Sequence, residues 1–343
     1  MASLPHSAAP AADQHLVDSH GRVIRDLRVS ITDRCNYKCV YCRTGEHGAQ
    51  YAELATEDYF RLIRVFVSLG IDKLRLTGGE PLLRRDLPAI LQQLSTLRTT
   101  AGQPLDLALT TNGHLLSDLA PVLKASGLHR ITVSMDAVDQ PTFERITRVP
   151  GSHSAVLAGI RAAQIAGLGP VKINCVLLRG FNDDQVEPFA HFARQHNVIV
   201  RFIEFMPLEE GRLWTPEIVV PLTEIVSRIQ AILPLVPLAA NNPSETARRY
   251  GFSDAPGEIG IIAPVTQAFC GACSRVRLTS DGKVRTCLFS LREHDLIGQL
   301  RLGATDDDLR QYLLRVVHTK EARHHIGEPG FHKPNRSMVH IGG

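Results

Sequence analysis

The sequence has no uninterrupted apolar run long enough to cross a bilayer. Residues 1–25 are rich in Ala, Pro, His and Asp. They lack both the apolar core of a signal peptide and the Arg-rich, acid-poor pattern of a transit peptide. They read as a flexible N-terminal arm, and the protein reads as cytoplasmic. No sign of charge dominates: 38 Lys and Arg face 35 Asp and Glu, a net charge of +3. That excludes a chain built to coat nucleic acid, but leaves room for a local basic pocket. No GxxxxGK(S/T) loop is present, so a nucleotide would not be held in the P-loop manner. The absence of a GxSxG elbow removes the commonest hydrolase signature. There is no low-complexity segment, and no repeat beyond a strand–helix rhythm.

What is present is an ordinary globular composition, 44% hydrophobic and 21% charged over 343 residues, enough for one large domain and an appended piece. Short apolar runs recur at 27–31, 73–77, 105–110, 130–135, 171–177 and 198–205. They read as strands apolar on both faces, as in a buried parallel sheet. Helical stretches separate them: one capped by Thr56 and stopped at Gly70, the others near 88–97, 115–125, 154–166 and 184–196. Six such units predict an α/β fold over 26–206, a parallel sheet open or partly closed into a barrel. Beyond 206 the rhythm breaks. Residues 207–343 read as an irregular extension with a strand at 259–263, a hairpin turn on Asp281-Gly282 and one late helix near 307–318. In parallel α/β folds chemistry collects beyond the C-terminal strand ends. The unusual residues obey this: Gly78-Gly79-Glu80, Thr110 to Gly113, Ser134, Asp136, Glu204 and Met206 all sit there.

The seven cysteines fall into two sets and one outlier. Cys35, Cys39 and Cys42 form a CxxxCxxC loop directly after the first strand. Cys270, Cys273 and Cys287 form a second trio. Without a signal peptide, such clusters read as metal sites rather than disulfides. Structural zinc needs four closed ligands, and near the first set only His47 offers a fourth, which keeps a zinc knuckle as an alternative. A four-iron cluster held by three cysteines instead leaves one iron open to a ligand. Cys175, inside an apolar run, reads as a core thiol.

The CxxxCxxC loop, with Tyr41 before its last cysteine, and the Gly78-Gly79-Glu80-Pro81 loop resemble the two signatures of radical S-adenosylmethionine enzymes. The second cysteine trio, Arg275-Val276-Arg277 and the terminal Gly342-Gly343 resemble the GTP 3′,8-cyclase family of molybdenum cofactor biosynthesis. The resemblance runs from about Asp26 to Gly343. It includes Asp26 to Asp33, Arg75 to Pro81, Thr110 to Gly113, Val171 to Asn174, Arg201 to Met206 and Gly257 to Gly260. It implies a partial parallel (β/α)6 barrel of radical S-adenosylmethionine type, with a C-terminal α+β extension carrying a second cluster. It implies two 4Fe-4S clusters, one on Cys35, Cys39 and Cys42 and the other on Cys270, Cys273 and Cys287. Tyr41, Gly79, Ser134 and Met206 match positions that contact S-adenosylmethionine. Arg28, Arg75, Thr110, Lys172, Arg275, Val276 and Arg277 match positions that contact GTP. Gly342 and Gly343 match a tail that reaches the active site and supports radical formation, and Arg275 and Arg277 would act beside the substrate cluster. The implied reaction removes the ribose 3′ hydrogen of GTP and joins that carbon to guanine C8. The implied partners are GTP, a flavodoxin- or ferredoxin-type electron donor, and the cyclic pyranopterin monophosphate synthase that takes the product. No nucleic acid or membrane is implied, and a homodimer stays open.

Two rivals remain at this level. One is a peptide- or sulfatase-modifying radical enzyme with an auxiliary cluster, which usually carries more cysteines in the extension. The other is a zinc-binding module without catalysis. His324-His325 reads as a surface pair. Asp136 and Glu204 fit the orientation of arginines or ribose hydroxyls better than acid–base work.

Overall fold

A computed structural model describes residues 15–42 and 49–342. The six parallel strands of the core are β1 (Asp26–Ser30), β2 (Lys73–Thr77), β3 (Asp106–Thr111), β4 (Arg130–Ser134), β5 (Lys172–Leu177) and β6 (Ile199–Glu204). The helices between them are α1 (Thr56–Ser68), α2 (Leu87–Ser95), α3 (Leu116–Ala125), α4 (Gln140–Thr147), α5 (Ser152–Ile165) and α6 (Val186–His196). Each strand pairs in parallel with the next, as strands joined through β–α–β crossovers do. The predicted strands and helices match to within one or two residues at most ends. Only α4 was not foreseen.

The strands are not apolar on both faces. Leu27, Val29, Leu74, Leu76, Ile173, Cys175, Val200 and Phe202 point one way and are at most 1% exposed. They meet apolar helix faces such as Tyr59, Leu62, Ile63 and Phe66 of α1. On the alternate positions stand Arg28, Arg75, Thr110, Ser134, Asn174 and Arg201, which line a cavity. Period-two alternation therefore divides each strand between a core and a polar interior.

Residues 207–343 are more regular than the sequence suggests. They add α7 (Leu222–Gln230), β7 (Leu235–Leu238), β8 (Arg248–Phe252), β9 (Glu258–Ile262), β10 (Arg275–Leu278), β11 (Lys283–Arg285), β12 (His294–Asp295), α8 (Leu296–Arg301), α9 (Asp306–His318) and α10 (Met338–Ile341). Among the described residues one twelve-stranded sheet results, in the order β12-β11-β10-β1-β2-β3-β4-β5-β6-β9-β8-β7. β9 extends the parallel sheet beyond β6, and β10 extends it beyond β1. An antiparallel hairpin closes each end. The extension thus flanks both edges of the core. The turn between β10 and β11 uses Asp281-Gly282 as expected, with Gly282 at φ +80° and the Thr279 hydroxyl donating to Asp281 at 2.6 Å.

Two local expectations are corrected. Thr56 is the first residue of α1, whose N-cap is Ala55; the Thr56 hydroxyl instead donates to Asp86 at 2.6 Å. Residues 15–25 of the expected arm are packed, with Leu16 and Ile24 fully buried. The Arg22 guanidinium donates to Asp18 at 2.6 Å and to the Cys270 and Ala322 carbonyls at 2.8 Å, tying this segment to the extension. Residues 1–14 lie outside the described residues, as do Arg43, His47 and Gly343.

Candidate active site

The interior face of the sheet opens onto a cavity of ≈ 310 Å³. Both cysteine sets line it, one after β1 and the other flanking the β10–β11 hairpin, with Cys270 and Cys273 before β10 and Cys287 after β11.

The first loop is folded by its own backbone and by the glycines facing it. Cys42 N–H donates to the Cys39 carbonyl at 3.0 Å, and Tyr37 N–H to the Cys35 sulfur at 3.4 Å. Gly79 N–H donates to the Thr32 carbonyl at 2.8 Å, and Glu80 N–H to the Arg34 carbonyl at 2.7 Å. A side chain on Gly79 would collide with the Arg34 carbonyl, so this close approach needs glycine. Glu80 is fully buried and accepts from Leu82 N–H, Asn112 N–H and the Thr111 hydroxyl at 2.9, 2.6 and 2.7 Å. Burial lifts its pKa to about 7 against those three donors. The Tyr41 hydroxyl donates to Asp136 at 2.7 Å, and Asp136 also accepts from Val176 N–H at 2.9 Å. Burial raises Asp136 to about 6. Tyr41, Gly79, Ser134 and Met206 all line the cavity beside this loop.

The chemistry of the donor set, three thiols on one short loop, suits a metal cluster, although among the described residues no three ligating side chains converge as they would on a single metal ion. Burial, then Asp136, then the neighbouring Cys42 and Cys35 push the Cys39 thiol up. Three mutually repelling, half-buried thiolates on one loop ionise together readily only around a cationic centre. The second set differs in charge. Burial opposes ionisation of Cys273, but Arg275, Lys320 and Arg22 outweigh it and lower the thiol. Cys287 is raised by burial and partly relieved by Lys320. Lys320 is itself 4% exposed. It donates to the Arg275 carbonyl at 3.0 Å and to the Thr286 carbonyl, bridging the two strands that carry this trio.

Between the two sets runs a row of cations. Arg28 stands in register with Arg75 on one side and with Arg277 on the other. Arg75 donates to the Thr110 and Thr132 hydroxyls at 3.2 and 3.1 Å. Arg201 reaches the same Thr132 at 3.2 Å. Burial first, then mutual repulsion, lowers the pKa values of Arg28, Arg75, Arg201 and Arg277. The Nε atoms of Arg28 and Arg201 and the Asn174 side-chain oxygen are buried without a hydrogen-bond partner. A pocket with surplus positive charge and unused polar atoms is built for a polar anion.

The C-terminal tail enters beside this row. The Gly342 carbonyl accepts from Arg277. Gly342 has φ +69°, and a Cβ there would meet the Thr77 hydroxyl and press on Ser30. Leu208, Phe289, Ile326 and Ile341 form a separate apolar cluster, with Met206, Trp214, Phe331 and Met338 packed around it.

Not every expected residue faces the cavity. Val276 is 1% exposed in the hydrophobic core, opposite in direction to Arg275 and Arg277, so only its backbone can meet a ligand. Lys172 lies behind the lining, on the same face of β5 as Asn174; burial and then Arg201, Arg130 and Arg75 bring it down to about 8. Glu204 orients no arginine or hydroxyl of a ligand. It is fully buried and accepts from Val265 and Thr266 N–H at 2.9 Å and from Leu222 N–H at 3.3 Å, fastening the extension to β6. Asp136 holds Tyr41 rather than an arginine. The sequence reading passed over Arg201 and Lys320, and placed His324 on the surface. His324 lines the cavity, packed on Phe289 at 5.2 Å, while His325 is exposed and pairs with Glu328 at 2.8 Å. Arg201 shares its strand face with Asn174 and Lys172, a signal that alternation carries once the inner face is known.

Comparison with known proteins follows this division. The Radical SAM superfamily model matches residues 29–193, and the Molybdenum Cofactor Synthesis C model matches residues 198–326. Streptococcus suis SuiB bound to S-adenosylmethionine superposes with a TM-score of 0.60 at 12% identity, over 88% of this chain and 69% of that one. That likeness is one of fold. Strand order, cysteine loop and family model together define a radical S-adenosylmethionine enzyme. The GTP 3′,8-cyclase of Acidothermus cellulolyticus is 44% identical over 322 residues, 91% of this chain and 88% of that protein. The GTP 3′,8-cyclase of Corynebacterium glutamicum is 42% identical over 100% of this chain and 94% of its own. The chain belongs to the GTP 3′,8-cyclase family.

Proposed function

We propose that this chain converts GTP into (8S)-3′,8-cyclo-7,8-dihydroguanosine 5′-triphosphate, the first step of molybdenum cofactor biosynthesis. The observation that carries the reading is the single cavity shared by both cysteine trios, with the arginine row between them. Cys35, Cys39 and Cys42 would hold the cluster that binds S-adenosylmethionine, and Cys270, Cys273 and Cys287 a second cluster that binds guanine. When bound, the cofactor would supply a 5′-deoxyadenosyl radical able to take the ribose 3′ hydrogen; joining that carbon to C8 would leave a purine-centred radical, and one further electron from the one-electron donor and a proton would complete the 7,8-dihydro product.

The protein's own contribution is placement and protection. Tyr41 is fixed through Asp136, and Ser134, Gly79 and Met206 shape the space beside the first trio. Arg28, Arg75, Arg201, Arg275 and Arg277 neutralise the triphosphate with charge-assisted bonds, Lys172 adds positive charge from behind the lining, and Thr110 adds a hydroxyl. The reacting 3′ carbon and C8 belong to one molecule, so immobilising it supplies the proximity the ring closure needs. The apolar cluster around Ile341 and the tail keep water from the radical. Gly342 forms the end of the described cover, and Gly342 and Gly343 would take part in radical formation. A one-electron donor of flavodoxin or ferredoxin type, transfer of product to cyclic pyranopterin monophosphate synthase, and a cytoplasmic setting complete the reading. Among the described residues no helix is long and apolar enough to cross a membrane.

The test is anaerobic incubation of the iron-loaded protein with S-adenosylmethionine, dithionite and GTP. Formation of 5′-deoxyadenosine together with a cyclised nucleotide supports the proposal. Deoxyadenosine without any GTP product would favour another radical chemistry. Stoichiometric zinc with no iron would remove both.

A further inference from the structure

An ion network outside the cavity, centred on the buried Arg336, joins the C-terminal tail to both cysteine-bearing regions. The Arg336 side chain is 6% exposed. Its guanidinium makes a two-pronged pair with Asp281, at 2.9 and 2.8 Å. Its Nε lies 2.7 Å from Glu293, a carboxylate that also receives Arg285 at 2.7 Å. The guanidinium carbon lies 3.8 Å from the centre of the Tyr51 ring. Two arginines thus meet two carboxylates, and the network is neutral.

Each partner sits at a strategic place. Asp281 is in the turn between β10, which carries Arg275 and Arg277, and β11, which leads to Cys287. Tyr51 follows the first cysteine loop, and its N–H donates to Asp33 at 2.9 Å, two residues before Cys35. Tyr51 also packs edge-on against His340, at 5.2 Å. Immediately after Arg336, Ser337 stands at the N-cap of α10 with its hydroxyl 3.1 Å from His340 Nδ1, and Met338 N–H donates to the Leu208 carbonyl at 2.9 Å. One helical turn later the Gly342 carbonyl meets Arg277. A single turn leaves no slack, so the position of Arg336 determines that of Gly342.

We infer that Arg336 is a positioning residue: it registers the C-terminal glycines against the two cysteine-bearing regions at once. A surface ion pair would contribute little, but removing one member of a buried pair leaves a charge uncompensated. The inference rests on the role proposed above for the tail. Lysine cannot reproduce both the fork and the stacking on Tyr51.

The test uses the full-length, anaerobically reconstituted protein as wild type, Arg336→Lys and Arg336→Met. Hydrogen–deuterium exchange is followed in peptides covering 331–343 and in the strands β1–β6, alongside iron content and GTP turnover. For Arg336→Met, the expected results are tail exchange faster by about ten-fold or more, unchanged strand exchange and iron, and turnover lower by about ten-fold. Arg336→Lys should fall between. Wild-type exchange in the tail would overturn the anchor. So would acceleration spread equally through β1–β6, the mark of a merely structural residue. A released tail with full turnover would support the anchor and overturn the tail's role in the reaction. Should Arg336→Met fail to accumulate, Asp281→Asn weakens the same fork and is read by the same exchange.

Discussion

Arg28 stands directly abreast of Arg75 on the neighbouring parallel strand, and neither is paired with a carboxylate in that row. Arg277 stands abreast of Arg28 on its other side. Like charges abreast in a sheet oppose folding, and burial strengthens the opposition. Such a row is a feature of binding that the rest of the fold supports.

Arg28→Met should therefore make the ligand-free protein more stable, by about 1 kcal/mol or about 1–2 °C in melting temperature. The same change should weaken GTP binding by about ten-fold or more. Calorimetric melting and titration of one preparation check both. A variant that is both less stable and fully able to bind would show that the row has a structural purpose.

Lys172 gives the site a pH dependence. Burial, then Arg201, Arg130 and Arg75, bring its pKa down to about 8. A triphosphate favours the protonated amine, so GTP affinity should be full below that value and fall as pH rises through it. The sign for folding is the reverse. The folded value lies below the unfolded one near 10.4, so the charge disfavours folding at low pH, and this is relieved as pH rises from about 8 to about 10. Lys172→Arg should flatten the binding profile, measured as GTP dissociation constants between about pH 6.5 and about pH 9.5. An identical profile in the variant would assign the dependence to another group.

Arg275 and Arg277 should separate on mutation. Arg275 stacks on Phe269 at 5.3 Å beside the second trio, whereas Arg277 also holds the Gly342 carbonyl. Arg275→Ala should reduce GTP cyclisation more than S-adenosylmethionine cleavage. Arg277→Ala should reduce both together, because it loosens the tail as well. Product ratios of deoxyadenosine to cyclised nucleotide read the difference.

Cys175 should be inert toward iron. It points away from the cavity, fully buried, with its thiol 3.6 Å from the Asp136 carbonyl. Cys175→Ala should retain about eight iron atoms per chain, as two four-iron clusters require, at a stability cost of about 1 kcal/mol. Loss of about four irons would mean that the ligand sets are misassigned.

The strands were legible because Leu27, Leu74, Ile173 and Phe202 mark the core side of each. The cysteine sets were legible because thiols at close spacing have few other uses. The inner face was harder to read: Arg201 shares its face of β6 with the apolar Ile199 and Ile203, and only the pairing of Arg201 with Asn174 across β5 and β6 shows what it faces. The helix α4 did announce itself locally, with Asp139 capping Thr142 N–H at 2.9 Å and a proline in the first turn. In the extension, β7 is an edge strand with Pro237 and three exposed residues, so its pattern is weak where neighbours do not enforce it. The buried side of β10 gave no hint that its partner would be β1.

That pairing imposes an order of events. β1 leaves the ribosome early and β10 late, yet they are neighbours in the finished sheet. Until β10 arrives, one edge of the core stays open, the second cysteine trio is absent and the arginine row faces water. Completion of the arginine row and of the second cysteine trio is thereby postponed until synthesis is nearly over, long after the first trio has been made.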